Sequence, residues 1–108
     1  QALVALMDRF QLDALILPFS TATVPEIPVK TYFSRENRNN LSSYTGLPTI
    51  IVPGGFFPTD GMPFAMQFLG RPFTEPVLIK LASGYEAATR HRKPAPLTPA
   101  LRGETLSD

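Results

Sequence analysis

TGLPTIIVPGGFFPTDGMPFAMQFLG, Thr45 to Gly70, holds the two apolar runs around which the rest of the chain is arranged. Thr49-Ile50-Ile51-Val52 is β-branched at every position, which suits a pleated, closely packed surface. With no polar alternation it reads as a strand buried on both faces. Pro48 and Pro53 bracket it, and proline cannot donate to a ladder from inside a central strand. The second run, Phe64 to Leu69, places Phe64, Met66 and Phe68 on one face and Ala65, Gln67 and Leu69 on the other. Gly54-Gly55 and Asp60-Gly61 lie between the runs and supply positive φ at little steric cost. Two neighbouring strands near the middle of a sheet are expected.

Outward from this stretch, α and β patterns alternate. Ala2, Leu3, Leu6, Met7 and Phe10 have helical spacing, and a strand follows over Leu12 to Leu17, closed by Pro18. Helix then strand is half of a βαβ unit whose first strand would precede Gln1. Opening at Gln1 without methionine, the sequence is expected to be cut from something longer. Phe19 to Tyr44 loses periodicity, with one short helix within Asn39 to Tyr44, and is the stretch expected to touch a ligand. Thr74 has the chemistry of an N-cap for a helix over Glu75 to His91, with Val77, Leu78, Leu81, Ala82, Tyr85 and Ala88 as its apolar stripe. Arg90 to Lys93 close it with cations, and Pro94, Pro96 and Pro99 forbid continuation. Residues 1–93 therefore read as one folded unit and 94–108 as a flexible proline-rich tail.

Composition narrows the function classes. The 108 residues are 44% hydrophobic, enough for a modest globular core. A net charge of +1 leaves no electrostatic footprint for nucleic acid or an anionic membrane. Without cysteine there is no disulfide framework, thiolate metal site or thiol nucleophile. No apolar run is long enough to span a bilayer, and a cytoplasmic protein is the default.

Catalytic residue types are sparse. Acyl transfer needs a nucleophile, a base held against it and donors for the oxyanion. The single histidine, His91, falls in the basic cluster after the last helix and reads as a structural helix-end residue. There is no Gly-x-Ser-x-Gly elbow, and one histidine with scattered carboxylates gives no metal-ligand spacing. The chain therefore has no catalytic residue, metal site or cofactor assigned. Pocket-lining candidates remain. Gly54 and Gly55 could let a ligand approach the backbone, although a turn requirement also explains them. Gln67 is polar within an apolar strand and either satisfies neighbouring backbone groups or holds a substrate. Tyr32, Phe33, Phe56 and Phe57 either line a cleft or join the core.

The order Gly46-Leu47-Pro48, Thr49 to Val52, Pro53-Gly54-Gly55, Gly61-Met62-Pro63 and Phe64 to Gly70 resembles the carboxy-terminal end of the amidase signature family. The resemblance runs from about Leu12 to Pro94 and implies an α/β/α fold with a mixed sheet, of which this chain is a carboxy-terminal fragment. It implies a parent that hydrolyses carboxamide C–N bonds through a serine acyl-enzyme, or an amidotransferase subunit with the same fold. The catalytic Ser-Ser-Lys of such enzymes lies outside this chain. The partners implied are the remainder of the amidase domain and a small-molecule amide. Asn40 joins the pocket candidates because the family often has an asparagine before Gly-x-Pro; local turn capping is the other explanation. Self-association through open sheet edges is expected, and the isolated 108 residues are expected to be inactive. A stand-alone α/β binding or interaction module is the alternative reading.

Overall fold

The chain folds around Pro63–Gly70, which becomes the middle strand of three. The computed structural model describes residues 2–20, 40–98 and 101–103. Its elements are α1 (Ala2–Arg9), β1 (Ala14–Pro18), α2 (Asn40–Thr45), β2 (Thr49–Phe56), β3 (Pro63–Gly70) and α3 (Glu75–Thr89). The sheet order is β1-β3-β2, with both pairings antiparallel, so β1 and β2 run in the same direction on either side of β3. β2 and β3 are neighbours as expected, but only β3 is central among the described residues. The described sheet is antiparallel throughout; the parallel pairings of a mixed sheet are not among its ladders.

Alternation along β3 divides the core into two layers. Phe68 faces α3 and packs with Val52, Leu78 and Ala82, while Met66, Ile50 and Tyr85 border that cluster. Leu69 points the other way into a cluster with Met7 of α1 and Leu47, bordered by Leu3, Val4, Leu15 and Leu41. Helices thus cover both faces of the sheet. The Phe68 and Tyr85 rings meet edge to face, with centroids 5.7 Å apart, a favoured aromatic geometry. Arg71 fastens the α1–β1 corner, its Nε donating to the Leu12 carbonyl at 3.0 Å and its Nη1 pairing with the Asp8 carboxylate.

Cover over the sheet is uneven. Ile51, expected to be buried, is 45% exposed, and Ile16 is 60% exposed although its register partner Phe68 is buried. The apolar stripe of α3 is covered in the same partial way: Leu78 and Ala82 are buried, whereas Val77 and Leu81 face outward.

Local boundaries differ from the sequence expectation, including the end of α3, expected at His91 and found at Thr89. β1 begins at Ala14 rather than Leu12 and includes Pro18. β2 does not stop before Pro53 but continues to Phe56 through a bulge between Pro53 and Gly55. Proline is tolerated because β2 is an edge strand among the described residues, where alternate N–H groups face away from the sheet. Thr74 precedes α3 but does not cap it with its side chain. Its hydroxyl donates instead to the Arg71 carbonyl at 2.7 Å, and its own carbonyl accepts from Val77 and Leu78.

α3 ends at Thr89, before the prolines, because Arg90 turns left-handed at φ 49° and ψ 43° while its N–H still bonds Glu86. A side chain in that region costs about 1 kcal/mol, which glycine avoids. Arg90→Gly is therefore expected to stabilise the fold by about 0.5–1 kcal/mol, read as a rise of several degrees in thermal midpoint.

Candidate functional site

Of the residues singled out from sequence, Gly54, Gly55 and Gln67 are fully described. Tyr32 lies outside the described residues. Asn40 opens α2, and its side chain lies outside the described residues as well. Gly54 and Gly55 sit in β2, and Gln67 lies in the middle of β3 between Leu17 of β1 and Ile51 of β2.

Gly54 and Gly55 belong to the β-bulge rather than to a loop, and both make room for β3 side chains. A Cβ at Gly54 would fall 2.8 Å from Cγ of Met66 and 2.8 Å from the Phe64 ring, closer than carbon atoms pack. Gly55 has φ 136°, a conformation open to glycine, and a Cβ there would meet the Phe64 ring at 3.1 Å. The extra residue of the bulge lets two successive backbone units lie across one aromatic side chain. Phe64 also packs against Phe57, with ring centroids 5.3 Å apart.

The bulge also forms one wall of a pocket of about 410 Å³. Pro53, Gly55, Phe56 and Met62 line it from the hairpin, and the segment from His91 to Pro96 closes it from the other side. Lys93 Nζ lies 5.5 Å above the centre of the Phe56 ring, a cation–π distance. His91 is half-buried beside Tyr85, ring centroids 6.3 Å apart, and leans toward Gly55. Of the aromatics expected to line a cleft, Phe56 does so, while Phe57 packs against Phe64. The wall contributed by residues 91–96 was not legible, because a proline-rich stretch after a helix carries no periodicity; the run of cations beside prolines was its only signal. A second hollow, of about 580 Å³, lies along the outer side of α3, between Ser83, Glu86, Ala87, Arg90 and Arg92.

Gln67 is the chemically unusual residue. It is completely buried, and neither its amide nitrogen nor its amide oxygen has a hydrogen-bond partner among the described residues. No backbone group among the described residues takes up this amide: the ladder of β3 is already paired on both sides, and its cross-strand neighbours Leu17 and Ile51 are apolar. An amide left so costs about 1–3 kcal/mol.

No group of three or more His, Asp or Glu residues is placed to hold a metal ion among the described residues. No helix among them is long and apolar enough to cross a membrane.

Comparison with known proteins supplies what the geometry does not. No family model and no solved structure matches the chain. It is 32% identical over 90 residues to a glutamyl-tRNA(Gln) amidotransferase subunit of Symbiobacterium thermophilum, covering 78% of this chain and 18% of that protein. The corresponding subunit of Methanosarcina barkeri is 32% identical over 92 residues, 80% of this chain and 19% of the relative. Fatty acid amide hydrolase of Medicago truncatula is 29% identical over 98 residues, 82% and 16% respectively. The chain thus spans less than a fifth of the length of these relatives. Over the matched stretch, around 80% of its own length, it belongs to the amidase signature family.

Proposed function

We propose that this chain is the carboxy-terminal portion of a cytoplasmic amidase that hydrolyses a small carboxamide to a carboxylate and ammonia or an amine. The likeness to both an amide hydrolase and an amidotransferase carries this reading, since both names denote chemistry at an amide. In the parent a serine oxygen adds to the amide carbonyl carbon, and its proton passes through the second serine and the lysine to the departing nitrogen. The C–N bond breaks, and water then cleaves the acyl ester to regenerate the serine. All three catalytic groups belong to the remainder of the domain.

The share of the work assigned to this chain is architectural. It supplies three strands and a packed helix, and the exposed Ile16, Ile51, Val77 and Leu81 are apolar surface for that remainder to cover. Gln67, whose amide is unmatched among the described residues, keeps one donor face and one acceptor for the substrate amide or for the missing part of the domain. Gly54 and Gly55 act by packing beneath the Phe64 side chain; Asn40 stands as a pocket residue on the resemblance, and Tyr32 as an aromatic of the stretch expected to touch a ligand.

Assay of the full-length parent and of the isolated 108 residues against a panel of primary amides, glutamine included, tests the proposal. The parent is expected to accelerate hydrolysis by about a millionfold or more over the uncatalysed reaction, and the isolated chain not at all. Turnover by the isolated chain at constant specific activity through purification would overturn the placement of the catalytic groups. A parent inert toward every amide would favour the binding-module alternative.

A further inference from the structure

We propose that the pocket between the β2 bulge and the segment after α3 binds an organic carboxylate whose apolar body lies against the hairpin. Pro53, Phe56, Met62, Pro63, Pro94 and Pro96 are among its lining residues, and its volume of about 410 Å³ falls in the small-molecule range. Three nitrogen-bearing side chains in succession, His91, Arg92 and Lys93, border it, and no carboxylate is among its lining residues. The nearest acid on the hairpin, Asp60, is held in the turn, where its Oδ1 accepts from the Met62 N–H at 3.0 Å. An apolar interior with cations on one side fits an anion carried on a hydrocarbon or aryl body. A single carboxylate is favoured over a multiply charged group because it costs least to withdraw from water.

The site is formed by the backbone. Gly55 keeps the near wall free of a side chain, and the left-handed Arg90 turns the chain off α3 so that His91 to Pro96 run back over the hairpin. Lys93 is already drawn over Phe56, which leaves its ammonium at the edge of the pocket. A bound carboxylate would pair with Lys93 and with the Arg92 guanidinium while its apolar end covers Met62, itself 39% exposed.

This inference does not depend on amide hydrolysis, because its test records binding without turnover. Titration of the full-length protein, labelled at its methionine methyl groups, with 4-phenylbutyrate provides that test, the Met62 signal being identified by its loss in Met62→Leu. The Met62 resonance is expected to move and saturate with a Kd of about 1 mM, while that of Met7, buried on the far side of the sheet, stays fixed. The paired change Arg92→Gln and Lys93→Gln should weaken binding about tenfold, and the uncharged 4-phenylbutan-1-ol should bind about tenfold more weakly than the acid. A Met62 signal that does not move, or an alcohol that binds as tightly as the acid, overturns the proposal. Unchanged affinity in the double variant overturns it equally.

Discussion

Leu69→Ala is expected to lower the stability of the fold by about 3–4 kcal/mol, the upper part of the range for a buried leucine. The side chain is fully buried and joins the central strand to Met7 of α1 and to Leu47, both almost wholly inaccessible. Truncation removes the transfer free energy of the lost carbons and leaves a hollow that three separate elements would have to move to fill. The urea midpoint should fall by about 2 M, given the denaturant slope of a domain this size. Ile16→Ala makes the matching control. Ile16 is on the same sheet but 60% exposed, and its loss should cost about 0.5 kcal/mol. Equal effects at the two positions would mean that the core does not lie where the α1 cluster puts it.

The second large effect is expected at Gln67, and its sign depends on the replacement. Gln67→Met keeps the length of the side chain and removes an amide that has no partner among the described residues, so stability should rise by about 1–2 kcal/mol. Gln67→Glu places a carboxyl group in the same buried position and should cost about 3 kcal/mol or more near neutral pH. Burial raises the folded-state pKa of that glutamic acid above its unfolded value. The folded state then holds its proton longer, and stability falls as pH rises past the ordinary glutamate range. Denaturation curves of the Glu variant at acid and neutral pH, beside those of the Met variant, measure both effects. A destabilised Met variant would mean that the amide has a partner in the folded chain.

Period-two patterning made much of the sheet legible. Phe64, Met66 and Phe68 share a face as their spacing requires, and the β-branched run before Pro53 is a strand in register with β3. The bulge was hidden because Pro53-Gly54-Gly55 has the composition of a turn. The glycines are required there by the Phe64 and Met66 side chains across the ladder, and no local rule carries that information. Burial was legible only for side chains that the described elements themselves cover, as Leu78 and Val77, one residue apart on α3, demonstrate. Thr74 has cap chemistry, but its hydroxyl is turned to donate to the Arg71 carbonyl, and no helix N–H donates to its oxygen. For the candidate site, sequence singled out Gly55 and Gln67 but not the cationic wall, which depends on the reversal at Arg90.

The strand order has a consequence for how the chain is made. β1 and β2 both need β3, and β3 is the last of the three to be synthesised. Ala14 pairs with Gly70, so β1 leaves the ribosome roughly fifty residues ahead of its partner, a delay of about 3–10 s at ordinary translation rates. Throughout that interval Ala14-Leu15-Ile16-Leu17 is an apolar segment without its β3 partner, and a chaperone that shields such segments should engage the nascent chain there. Once Gly70 emerges the antiparallel ladders can zip on both sides of β3, and the same four residues cease to be a binding site.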